Sequence, residues 1–101
     1  MKAASFRPVL QLFVCTNRRE AGDPLGAGCS ALGEAVWRGL RSRVAARGLA
    51  GRVWVTRTLC QGVCPKQGTA VSLSPGGTVL TEVVPDDVDT LMARIDAAVR
   101  P

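Results

Sequence analysis

Four cysteines, Cys15, Cys29, Cys60 and Cys64, are the residues of this 101-residue chain best suited to do chemistry. Thiolates are soft donors that take zinc or iron, and they are also the nucleophiles of thiol–disulfide exchange. The intervals between them are thirteen, thirty and three residues. Zinc ribbons need cysteine pairs two residues apart, and the plant-type iron–sulfur spacing is four then two, so neither template fits. The chain has no histidine, which removes mixed cysteine–histidine zinc sites and Rieske ligation. A metal bound here would be held by cysteine alone. The competing readings are a structural zinc site, ordinary buried thiols, or a redox pair of Cys60 and Cys64. The redox pair has three intervening residues where a dithiol motif has two, and it leaves Cys15 and Cys29 without a role.

The elements that must position these cysteines follow from hydrophobic pattern. Residues 9–14 (VLQLFV) form a near-continuous apolar run that predicts a strand buried on both faces and running directly into Cys15. Residues 16–28 are rich in charge, glycine and alanine and contain Pro24, which is loop chemistry. From Cys29 to Arg47, Leu32, Val36, Leu40 and Val44 recur every four positions while Glu34, Arg38 and Arg41 fall elsewhere, predicting an amphipathic helix. Gly48 suits its left-handed end, and Gly51 turns the chain into a β-branched strand at 52–56 (RVWVT). Residues 70–73 and 78–83 predict an antiparallel hairpin around 74–77 (SPGG). Pro85 and Asp86 open a last helix, with Asp86 as N-cap and Val88, Leu91, Met92, Ile95 and Val99 as its apolar stripe. The expectation is an α/β chain, a βαβ unit followed by a β-hairpin and a C-terminal helix, in one domain over residues 1–101.

A right-handed βαβ crossover returns the chain so that both strands point the same way, with the helix starting where the first strand ends. Cys15 follows the first strand, Cys29 starts the helix, and Cys60 and Cys64 follow the second strand, so the topology gathers all four at one edge. The helix start adds backbone N–H groups and a positive dipole end that favour thiolate charge. Within Cys60–Cys64 (CQGVC), Gly62 allows the backbone to curl and aim its amides at sulfur. Thr16 and Asn17 are candidates for hydrogen bonds near the site or for capping the strand. Arg18, Arg19, Arg57 and Lys66 flank the cysteines as candidates for docking an acidic partner or as solvated surface. Trp37, Trp54 and Met92 read as packing residues.

Composition narrows the function classes. The formal charge is +5, but the arginines are dispersed and only four aromatic residues accompany them, which does not predict nucleic-acid binding. No apolar run approaches the roughly 20 residues of a membrane span, and no export signal is recognised at the start, so a reducing cytoplasm is expected. There is no Ser/His/Asp arrangement and no phosphate-cradling glycine loop, so no catalytic residue is assigned and an enzyme is not expected.

Residues 12–17 (LFVCTN) with 18–20, then Gly28 and Cys29, then 55–58 (VTRT) leading into CQGVC, resemble the thioredoxin-like [2Fe–2S] ferredoxins, also called Shethna-type. The resemblance runs from about Leu12 to Val99. It extends to the related module of the small flavoprotein-associated subunit of NADH dehydrogenase, without that subunit's long extra helices. It implies a thioredoxin-like, mixed four-stranded sheet lacking the thioredoxin dithiol, and a [2Fe–2S] cluster on Cys15, Cys29, Cys60 and Cys64. It also implies one-electron transfer to a redox partner protein with an acidic docking surface, and commonly a homodimer. This chain has Gly68–Thr69 where the family often shows proline, and Val79–Leu80 where its hairpin is often aromatic. The alternative of another class is a four-cysteine zinc-binding interaction module with a basic surface.

Overall fold

Alternating burial along the first strand sets the layers. In the computed structural model, which describes residues 1–17, 29–62 and 67–99, Leu10, Leu12 and Val14 are buried while Gln11 and Phe13 are half-buried. The expectation of a strand buried on both faces is thereby corrected. Its physical reason is that both helices contribute to the main core, against the face that carries Leu10, Leu12 and Val14, and among the described residues no helix packs on the opposite face.

The chain order is β1 (Leu10–Cys15), α1 (Ser30–Ala46), β2 (Val53–Thr58), β3 (Thr69–Ser74), β4 (Thr78–Val83), a 3-10 turn (Pro85–Asp87) and α2 (Val88–Val99). The sheet order is β2-β1-β3-β4. β1 runs parallel to β2, with Leu10 opposite Val53 and Cys15 opposite Thr58, and antiparallel to β3, which pairs antiparallel with β4. This is the mixed four-stranded α/β sheet anticipated above. β4 has the predicted bounds, whereas β2 continues two residues past the predicted end and β1 includes Cys15 as its last residue.

Helix α1 buries Val36, Leu40 and Val44, but Leu32, counted as the first member of that stripe, is 41% exposed. A strict four-residue repeat drifts around a helix of 3.6 residues per turn, and at the first turn Gly33 faces inward instead. The helix ends as expected: Gly48 adopts φ 69°, and the N–H groups of Gly48 and Leu49 return to the carbonyls of Ala45 and Val44. In α2 the whole predicted stripe, Val88, Leu91, Met92, Ile95 and Val99, is buried. Its entry differs from expectation. Val84 takes the cap position, and Asp87, not Asp86, accepts the Val84 N–H at 2.9 Å, because the chain first makes a 3-10 turn that shifts the capping side chain by one residue.

β2 is an edge strand, and Trp37 covers part of its outer side. The indole Nε1–H donates to the Val55 carbonyl at 3.1 Å, a group that an added strand would otherwise use. Trp54 is 37% exposed and stacks on Phe6 with ring centroids 5.9 Å apart, so it lies at the surface rather than in the core.

Leu40 is fully buried in the main core that α1 shares with the sheet and α2. Replacing it, Leu40→Ala, should destabilise the fold by about 2–5 kcal/mol, read as a lower urea midpoint at unchanged slope.

Candidate functional site

The end of β1, the start of α1, the end of β2 and the start of β3 meet at one rim of the sheet. Two of the predicted cysteines are side by side there. Cys15 closes β1 and is 1% exposed; Cys29 is the N-cap residue of α1 and is also buried; with Ala70 they form a small packed group separate from the main core. The Cys29 side chain makes no capping hydrogen bond, so its sulfur is not spent on the helix N-terminus. Its backbone is fixed instead, by donation from its N–H to the Asn17 carbonyl at 2.8 Å and by acceptance from the Gly33 N–H at 2.6 Å.

What holds α1 so close to β1 is the absence of a side chain. A Cβ built on Gly33 would stand 2.0 Å from the Cys15 carbonyl oxygen, a distance no real Cβ occupies, and a tight 3.2 Å from the Thr16 Cα. The same carbonyl accepts a hydrogen bond of 2.6 Å from the hydroxyl of Thr69, the one buried polar residue among those described. Gly33 and Thr69 thus grip the backbone of Cys15 from α1 and β3.

Cys60 follows β2 and is exposed. Gly62 adopts φ 85° and its N–H points at the Cys60 sulfur at 3.4 Å, as the glycine of this loop predicts. Gln61 ties the loop to three strands. Its side-chain amide donates to the Phe13 carbonyl at 2.9 Å and to the Thr58 hydroxyl at 3.1 Å, and its oxygen accepts from the Ser72 hydroxyl.

The Cys15 sulfur senses the other two. Burial pushes the Cys15 thiol up, the backbone N–H of Asn17 pulls it back, and the side chains of Cys29 and Cys60 raise it further, Cys29 through a hydrogen bond and both through charge. Among the described residues, no group of three or more histidine, cysteine, aspartate or glutamate side chains is arranged to hold a metal ion. Cys64, Arg18, Arg19 and Lys66 lie outside the described residues. Of the other candidates, Thr16 closes the β1–β2 pair, its hydroxyl and its N–H both donating to the Thr58 carbonyl, so its side chain caps the strand. Asn17 acts through its backbone. Arg57 pairs with Glu34 at 3.2 Å and stacks on Trp37.

Three residues of the rim were not singled out from sequence. An isolated glycine inside the amphipathic pattern of α1 is a signal for close packing that identifies Gly33 in retrospect. Thr69 and Gln61 carry no such one-dimensional mark, because their partners lie 54 and 48 residues away.

No family model matches the chain, and no curated protein does. Solved structures do. The wild-type thioredoxin-like [2Fe–2S] ferredoxin from Aquifex aeolicus superposes with a TM-score of 0.79 over 94% of this chain and 92% of that one, at 24% identity. Two cysteine-to-serine variants of it match with TM-scores of 0.78 and 0.77 over 91% of each chain, at 23% identity. The fold of this chain is therefore that of the thioredoxin-like ferredoxins, as the sequence resemblance implied. The substituted cysteines of the two variants stand four positions apart, the same separation as Cys60 and Cys64.

Gly33→Ala should destabilise the fold by about 1–3 kcal/mol or more, although alanine is the better helix former by about 1 kcal/mol. Denaturation midpoints check the sign. Gln61→Met keeps the length of the side chain and removes its hydrogen bonds; a loss of about 1–3 kcal/mol is expected by the same measurement.

Proposed function

We propose that this chain is a small one-electron carrier in which the thiolates of Cys15, Cys29, Cys60 and Cys64 hold a [2Fe–2S] cluster. The observation that carries the reading is the packing of Cys15 and Cys29, from either side of a thirteen-residue interval, against one another at the rim where Cys60 also acts on Cys15. The likeness of fold to [2Fe–2S] ferredoxins adds to it.

The donor chemistry suits the group. Four sulfurs and no imidazole make a soft set that binds iron as thiolates, so binding releases the thiol protons, that of Cys15 included although burial favours its neutral form. A bound cluster supplies a site that accepts and returns a single electron. The chain's own residues set its surroundings. The Gly62 N–H points at sulfur, a kind of hydrogen bond that raises a cluster's reduction potential, and the start of α1 offers its positive dipole end. Cys15 and Cys29 are screened by the protein while Cys60 is exposed, so one side of the group would be shielded and the other would meet a partner.

Four thiolates around an oxidised core bring the formal charge from +5 to about +3, which suits a redox partner with an acidic docking surface. A reducing cytoplasm is the compartment that keeps four such thiols available. The uncovered sheet face, with Trp54 and Val79 partly exposed, is where a second copy would pair. No substrate is turned over on the chain itself.

Protein purified without oxygen should be reddish-brown, with about two irons and two sulfides per chain, and should show the paramagnetic resonance of a [2Fe–2S] centre after reduction with dithionite. A colourless chain carrying one zinc would replace this reading with the interaction module. Cys29→Ser should lose iron during purification, and unchanged iron content would remove Cys29 from the ligand set.

A further inference from the structure

The outer flank of β2 and the adjoining face of α1 enclose an open cleft of about 580 Å³, lined by Trp37, Arg41, Val53, Trp54, Val55 and Arg57 among others. None of its lining residues is acidic. The guanidinium carbons of Arg57 and Arg41 lie 4.3 and 5.2 Å from the Trp37 ring centre. Stacking on an indole restricts long side chains, so their N–H groups are presented with less entropy to lose on binding. Arg57 already takes one carboxylate, that of Glu34, at 3.2 Å. Arg41 has no ion pair among the described residues.

An occupant that extends the sheet is disfavoured here, because the Trp37 indole occupies the outward carbonyl of Val55. The remaining handles are two guanidinium groups and an apolar floor of Val55 and the Trp37 ring. Phosphate would use the guanidinium groups but not the floor. A protein segment with carboxylates on either side of an apolar residue uses both. Arg57 lies three residues before Cys60, so a partner bound here would rest beside the cysteine rim.

We propose that this cleft docks an acidic, apolar-interrupted segment of a partner protein through Arg41 and Arg57 on the Trp37 platform. Its assignment to a redox partner rests on the electron-carrier reading above, while the binding chemistry stands on the cleft itself.

Trp37 and Trp54 are the two tryptophans of the chain, and because Trp54 also stacks on Phe6 at the other face of the sheet, the emission change is assigned to the cleft when a Trp54→Phe chain reproduces it. The probe is a short capped peptide alternating glutamate and leucine, titrated at low ionic strength into both iron-loaded and iron-free protein. A saturable change in tryptophan emission is expected, weakened about tenfold in the double variant Arg41→Gln, Arg57→Gln, and unaltered in the charge-matched double variant Arg7→Gln, Arg94→Gln. Circular dichroism checks that each variant is folded. Should the first double variant fail to fold, Arg41→Lys, which keeps the charge and loses the planar fork, should still weaken binding. Three results would overturn the proposal: no response in the wild-type chain, equal weakening in both double variants, or tighter binding of a single-stranded RNA oligomer than of the peptide. Peptide binding by a chain that takes up no iron would retain the cleft and refute the cluster, and an iron-loaded chain indifferent to the peptide would do the reverse.

Discussion

The approach of helix α1 to the end of β1 is the constraint on which the cysteine rim depends. At Gly33 there is no room for a single additional carbon, since the Cys15 carbonyl stands where a Cβ would be. Because Cys29 caps the same helix and Cys15 ends the same strand, this contact brings their side chains into one small buried group. Helix propensity argues for alanine at such a position, so glycine here exchanges local stability for proximity. Thr69 completes the grip by donating its buried hydroxyl to the same carbonyl.

Around that contact the rim is fastened by polar groups that reach across the sheet rather than along it. Thr16 and Thr58 close the β1–β2 pair, and Gln61 binds the loop after β2 back to β1, β2 and β3. The loop that carries Cys60 is thus held by one side chain while Gly62 turns its amide toward sulfur. The described part of the rim thus combines two buried cysteines, Cys15 and Cys29, with an exposed one, Cys60.

The β2 edge and the sheet face away from the helices are treated differently. On β2, Trp37 fills a backbone acceptor and draws Arg41 and Arg57 over its ring, converting an edge prone to strand addition into a cationic, aromatic surface. On the face away from the helices, Phe13 and Trp54 are covered only in part. The character of both surfaces follows from which side of each strand the two helices cover.

Local pattern was sufficient for much of this protein. The apolar stripe of α2, the Gly48 terminator, the bounds of β4 and the order of strands and helices follow from short-range periodicity and turn chemistry, which act over a few residues and are written contiguously in the chain. The placing of Cys15 and Cys29 at one rim, with Cys60 following β2 beside them, was legible because a βαβ crossover has a fixed hand. What tertiary structure alone decided is which residues the neighbours select. Leu32 turns outward and Gly33 inward because a carbonyl of β1 occupies the space, Asp87 replaces Asp86 because a 3-10 turn intervenes, and Gln61, Thr69 and Trp37 acquire their roles from backbone groups on other strands. Steric exclusion and hydrogen-bond partners of that kind depend on distances in space between residues far apart in the chain, and no sequence window contains them.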